Sequence, residues 1–264
     1  LNLSLEQADI VGKFELTGLG VQISWNNQAV SSDSVMSWEA AKIQGIELGP
    51  TRFVINAKND QIDIPLINIP LTDGELRLAK INCKNCFDSG RNVRFAARLS
   101  PTPMTTLWRI TGSDGAPVSG LVEAALPGIV YENNRMELDG SMRVNLFDGE
   151  IRLDSLVLED PGGLVPRLFG DIAIERLNLE ELTKTYDFGK ITGRIDGYAK
   201  GFELVNWQPV AFDAAIYSTP DDDLPKRISQ QAINNISDIG GAPGLLANSF
   251  MSFFKELRYA SIGM

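Results

Sequence analysis

The chain has 264 residues, with 24 Lys+Arg against 34 Asp+Glu, a formal net charge of -10, and no histidine. An acidic surface is a poor match for a phosphate backbone, which argues against nucleic acid as a partner. The missing imidazole excludes Ser-His-Asp and Cys-His catalysis, histidine acid–base work and histidine-ligated metals. At 44% hydrophobic and 22% charged the composition is that of a folded domain, and the length suits one large domain or two.

No run approaches the ~18 apolar residues of a membrane helix, and no basic segment followed by an apolar one marks a signal peptide. The chain begins with Leu1. It reads as an excised fragment, so the missing targeting signal says nothing about location.

Along the chain the hydrophobic period is mostly two, the pattern of half-buried strands. It runs through Val21, Ile23 and Trp25, then Ile62, Ile64 and Leu66, then Met142, Val144 and Leu146, then Phe212, Ala214 and Ile216. Asp-Gly pairs at Asp73, Asp114, Asp139, Asp148 and Asp196 offer tight hairpin turns. Residues 140–158 read as one hairpin, with a strand to Phe147, a turn at Asp148-Gly149 and a strand from Glu150.

An internal repeat is the most informative feature. Gly74-Glu-Leu-Arg-Leu-Ala-Lys-Ile-Asn-Cys83 matches Gly149-Glu-Ile-Arg-Leu-Asp-Ser-Leu-Val-Leu158 and Gly170-Asp-Ile-Ala-Ile-Glu-Arg-Leu-Asn-Leu179, with a fainter echo from Gly193. Its apolar positions are Leu76, Leu78 and Ile81; Ile151, Leu153, Leu156 and Leu158; and Ile172, Ile174, Leu177 and Leu179. They fall at offsets 2, 4, 7 and 9 from the glycine. A straight strand would give 2, 4, 6 and 8. One extra residue at Ala79-Lys80, Asp154-Ser155 and Glu175-Arg176 predicts a β-bulge or bend that returns the later residues to the first face. Two short strands joined by a kink are the alternative.

The motifs that could carry chemistry have plainer readings. Cys83 and Cys86 form a C-x-x-C among strands. A zinc site lacks two further ligands, and a thioredoxin-like pair lacks its helix. A local disulfide, which would imply an oxidising compartment, or two quiet thiols remain. Asp187-Phe188-Gly189 spells a kinase triplet without the other kinase motifs and reads as a turn before a strand at Ile191. Asp221-Asp222-Asp223 lacks EF-hand spacing and reads as a solvated helix entry. Asn2 and Asn235 open short sequons that arise often by chance. No metal site, catalytic residue or cofactor is expected.

After Thr219 the period changes. Ile228, Ala232, Ile236 and Ile239 share a helical stripe that ends before Gly240-Gly241. A second helix is predicted over 243–259, with Leu246, Phe250, Phe253, Phe254 and Leu257 on one face. These helices would cap the sheet, or lie on a membrane or partner. The domain reading is a repeat-built sheet over 1–219 and capping helices over 220–264. The apolar strand face could pack on a second sheet as a dry core, or stay open on a curved sheet.

The repeated Gly-x-Ile/Leu-x-Ile/Leu strands resemble the AsmA-like superfamily of Gram-negative envelope proteins. The stretch from Ile191 to Ala214, together with Arg227 to Gly241 and the phenylalanine-rich segment after it, is similar to the distal part of the YdbH/TamB branch. The resemblance is best over 140–260 and vague before 70. It implies a mainly β fold, an elongated, curved antiparallel sheet with an open hydrophobic groove and one or two C-terminal amphipathic helices. It also implies an inner-membrane anchor outside this chain, a place in the periplasm, and non-enzymatic carriage of phospholipid toward the outer membrane. Acyl chains would lie along the eleven repeat positions named above. The C-terminal helices would meet an outer-membrane or periplasmic protein. The competing reading is a structural or protein-binding β module with a closed core.

Overall fold

The computed structural model describes residues 2–10, 14–26, 29–30, 34–43, 46–88, 90–108, 120–239, 256–258, 260–261 and 263. β1 (Asn2–Ile10) and β2 (Phe14–Gln22) form an antiparallel pair. Seven short segments follow: β3 (Trp25–Asn26), β4 (Ala29–Val30), β5 (Val35–Trp38), β6 (Ala40–Ile43), β7 (Ile46–Leu48), β8 (Thr51–Val54) and β9 (Asn56–Lys58). β5 and β6 both pair with β2, and β5 pairs with β8. The Val21–Trp25 alternation is therefore broken, because β2 ends at Gln22 and Trp25 starts another segment.

A meander of long strands follows. β10 (Gln61–Leu71), β11 (Gly74–Lys84) and β12 (Asn92–Pro103) lead through α1 (Met104–Trp108) to β13 (Gly120–Glu132), β14 (Arg135–Leu146), β15 (Gly149–Glu159) and β16 (Arg167–Asn178). After α2 (Leu179–Thr185) and β17 (Ile191–Thr192), β18 (Arg194–Val205) and β19 (Gln208–Ser218) complete it. Each long strand is antiparallel to the next, and the whole is one large open sheet. β20 (Arg227–Ser229) leads into α3 (Gln230–Ile239). With β17 and β21 (Glu256–Arg258), β20 forms a separate three-stranded sheet.

Three of the hairpin turns use positive φ at both central residues, which suits the right-handed twist of the flanking strands. These are Asn133-Asn134, Phe147-Asp148 and Asn206-Trp207, with φ between 49° and 63°. The turn expected at Asp148-Gly149 thus sits one residue earlier, and Gly149 opens β15 opposite Leu146. Asp139-Gly140 and Asp196-Gly197 lie inside strands rather than at turns, and Asp114 lies outside the described residues.

The mid-strand bulge is present in all three repeats. The ladders shift between Ala79 and Asn82, between Asp154 and Val157, and between Ile174 and Leu177. Lys80, Ser155 and Arg176 adopt φ of 54°, 55° and 55°. The strands continue straight through, so the bulge reading holds over the kink. Carboxylates satisfy bulged amides: Arg176 N donates to Asp196 Oδ1 at 2.7 Å, and Gly201 N to Asp171 Oδ1 at 2.9 Å. The echo at Gly193 departs from the pattern, since β18 bulges at Gly201 instead.

Left-handed backbone costs a non-glycine residue roughly 1–2 kcal/mol. Ser155 is exposed, so its side chain contributes little else. Ser155→Gly should be neutral or stabilise by up to about 1 kcal/mol, and Ser155→Val should lose about 1–2 kcal/mol. Urea midpoints check the order, and a valine variant as stable as the glycine one would contradict it.

The tail differs from its sequence reading. α3 begins at Gln230, because Ile228 is paired in β20 with Ile191 and Leu257. Ala232 is fully buried, yet Ile236 is 45% exposed. The predicted helix over 243–259 is corrected at its end, where Glu256–Arg258 is a strand paired with β20. Its phenylalanine-rich part lies outside the described residues. Two short helices went unforeseen, α1 and α2. Leu179 is the first residue of α2 rather than the last of a strand, and Asn178 caps it by accepting from Glu180 N at 3.0 Å.

Candidate functional site

Direct partners in an antiparallel ladder put their side chains on the same face. One row of partners runs Ile69, Leu76, Leu99, Ala124, Met142, Leu153, Ile172, Ala199, Ala214. It crosses nine strands, β10 to β16 with β18 and β19, without a polar residue. A second row crosses the same strands: Ile62, Cys83, Val93, Tyr131, Met136, Leu158, Leu168, Leu204, Pro209. Both rows share one face, because Leu76, Leu78 and Ile81 of β11 join one cluster and Cys83 alternates with Ile81. At ~4.8 Å between strands, eight intervals make each row roughly 38 Å long.

The two ends of this face differ. At the Phe147 end, Leu179 and Leu182 of α2, Ile191 of β17, Ile228 of β20 and Ala232 of α3 pack over Val122, Val144, Leu146, Leu177 and Ile195. This cover is built from α2, the small sheet and α3, and the phenylalanine-rich segment expected to cap the sheet lies outside the described residues. At the β10 side, Met36, Trp38, Leu48 and Phe53 continue the apolar face and cluster with Ile64, Ile67 and Ile69. The second row belongs to neither cluster, and Val93, Tyr131, Met136, Leu158, Leu168 and Leu204 stay half-buried. Loops beyond that row carry large exposed apolar side chains: Phe87 80%, Leu164 95%, Val165 51% and Trp207 62%.

The eleven repeat positions are therefore divided. Leu76, Leu78 and Ile81 pack in the β10 cluster. Ile151, Leu153, Ile174, Leu177 and Leu179 pack under the cap. Leu156 is buried between Gly170 and Phe202. Leu158 and Ile172 lie outside both clusters. The repeat missed Val93, Tyr131, Met136, Leu168 and Leu204, whose membership depends on strand pairing across bulges.

The opposite face is polar. Arg152 Nε meets Asp154 at 2.8 Å and its Nη1 meets Glu175 at 3.5 Å. Arg135 pairs with Glu137 and Glu159, Arg143 with Glu123 and Glu150, and Arg167 with Glu203 and Glu159. The hydrogen bond that Arg152 donates to Asp154, and then the charge of that carboxylate, raises the Arg152 pKa above its ordinary range. Solvent and salt screen exposed pairs of this kind, so each contributes little to stability. They make a solvated, charge-compensated face.

The Sγ atoms of Cys83 and Cys86 lie within bonding reach, with Cα atoms 5.7 Å apart, closing a short turn after β11. Closing so small a loop removes little conformational entropy from the unfolded chain and so stabilises the fold only modestly. Asp187-Phe188-Gly189 is the expected turn, with Phe188 N donating to Thr183 O at 2.9 Å. Asp222 corrects the solvated-entry reading. Its side chain has no accessible surface and pairs with Arg194, accepting from Arg194 N at 2.7 Å and Nη1 at 3.2 Å. Among the described residues no three His, Cys, Asp or Glu side chains gather as metal ligands, and no helix is long and apolar enough to cross a membrane.

No protein-family model matches the chain, and neither a curated protein nor a solved structure shows a significant match to it.

Proposed function

We infer that the chain is a non-enzymatic lipid-binding module of the Gram-negative envelope, as the AsmA-like resemblance implies, and that phospholipid acyl chains lie on the half-buried apolar row. The observation that carries this reading is the continuity of that row across nine strands outside both packed clusters. Its length of roughly 38 Å exceeds the ~15 Å of one bilayer leaflet, so tails can follow one another along it. Contiguous apolar surface of that extent on a folded protein marks a binding site. Binding would be spread over many small dispersion and burial terms, with no single residue dominant. Periplasmic location, an anchor on another part of the protein and movement of lipid toward the outer membrane belong to the same proposal, as does a protein partner for the C-terminal elements.

The second reading, a structural module with a closed core, is favoured by the cap, where Leu177, Leu179, Ile191 and Ala232 are as buried as any domain interior. Native mass spectrometry of the purified chain, followed by lipid extraction, separates the two. Co-purified phospholipid in at least about one copy per chain is expected. A lipid-free chain that also fails to take up phospholipid from vesicles would leave the structural module.

A further inference from the structure

The polar side of β11 to β13 holds a second, independent feature. A hollow of about 310 Å³ opens there beside the bulge of β13, floored by Ala79, Ala96, Ala125 and Pro127. Arg77 and Arg98 stand in its wall as direct cross-strand partners. Like charges directly opposite each other are destabilising. Of the arginines of β14 to β16, Arg135, Arg143, Arg152 and Arg167 are held by carboxylates, whereas Arg176, at the bulge of β16, makes no ion pair among the described residues. Arg77 and Arg98 make no ion pair or side-chain hydrogen bond among the described residues. Glu75, two residues away on the same strand, engages neither. In a chain of net charge -10, β11 and β12 carry Arg77, Lys80, Lys84, Arg94 and Arg98 against Glu75 alone.

We propose that Arg77, Arg98 and this hollow form a binding site for a small anionic amphiphile, one carboxylate or phosphate group held between the two guanidiniums and an apolar part of about ten heavy atoms in the hollow. Guanidinium forks match carboxylate and phosphate oxygens in a bidentate geometry. The anion would relieve the repulsion between the arginines, which is the strain the empty pair keeps. Small side chains and a proline without an N–H leave the floor free of unmet polar groups. The volume lies at the lower end of ligand pockets and equals about ten shares of liquid water. The site faces away from the apolar rows, so it stands or falls independently of lipid on that face.

Decanoate, monodecyl phosphate and neutral decanol serve as probes, with alanine- and leucine-methyl shifts locating the site and calorimetry giving the affinity. Both anions should shift Ala79, Ala96 and Ala125, and decanol should not. The preferred anion identifies the headgroup class. The R77Q/R98Q double variant should bind roughly a hundredfold more weakly, about tenfold per arginine. Ala125→Trp keeps both arginines, fills the hollow and should abolish the shifts. Arg77→Gln alone should leave the unliganded melting temperature unchanged or raise it, whereas an arginine that merely supports the fold would lower it. Undiminished affinity in the double variant, equal binding of decanol, or shifts confined to residues such as Leu158 would overturn the site. Any of these would leave the reading of the apolar face untouched.

Discussion

Leu156→Asp is expected to unfold the middle of the sheet, whereas Leu158→Asp, two residues along the same strand, should leave the delipidated fold largely intact. Leu156 is 6% exposed and fills the space over Gly170, beside Phe202, itself 6% exposed. An unpaired carboxylate there has no water and no partner. The loss should reach at least about 3 kcal/mol, a large part of the ~5–15 kcal/mol that holds a domain together. Leu158 sits in the row that neither cluster covers, so an aspartate there keeps its hydration and should cost about 1 kcal/mol. Its effect should appear with lipid present, where fewer acyl chains bind and less ligand stabilises the fold. The melting temperature of delipidated protein and the lipid bound per chain, measured on both variants, test this. Equal collapse of the two variants would mean that the row is closed core.

Gly140→Ala should be the most damaging single methyl in the sheet. Gly140 lies inside β14 with φ of 105°, and a Cβ there would stand 2.2 Å from Ala125 O and 2.7 Å from Pro127 Cδ. The first contact is backbone and cannot rotate away. Steric strain and forbidden dihedrals together should cost about 3 kcal/mol or more. Gly128→Ala is the control. Its Cβ would meet Asp139 Cβ at 3.4 Å, ordinary contact, with no positive φ, and it should cost less than about 1 kcal/mol. Denaturant midpoints of the two variants give the comparison, and equal midpoints would contradict the assigned strain.

Much of the fold was legible in the spacing of a few residues. The offsets of Leu76, Leu78 and Ile81 demanded an extra residue at Ala79-Lys80, and the ladder shifts there. A bulge leaves its mark in sequence because hydrophobic phase is local. Pairing is not local. Nothing near Leu168 says that Leu158 and Leu204 flank it, since that depends on how many residues each bulge adds on its neighbours. The repeat therefore found members of the apolar face but not which part of it is covered. Cover depends on α2 and the small sheet, and α2 was hidden because its Leu179 continues the strand repeat in register. Asp222 was hidden for a related reason. Its neighbours Asp221 and Asp223 look alike in sequence, and only the approach of Arg194 from β18 separates it from them.

The claim that lipid lies along the uncovered row is tested most directly by a photo-crosslinking residue placed at single positions in the envelope of living cells. Benzoylphenylalanine at Met136 or Leu168 should yield phospholipid adducts on irradiation, and the same group at Arg152 on the polar face should yield none. Adducts at all three positions, or protein adducts alone at Met136 and Leu168, would contradict it.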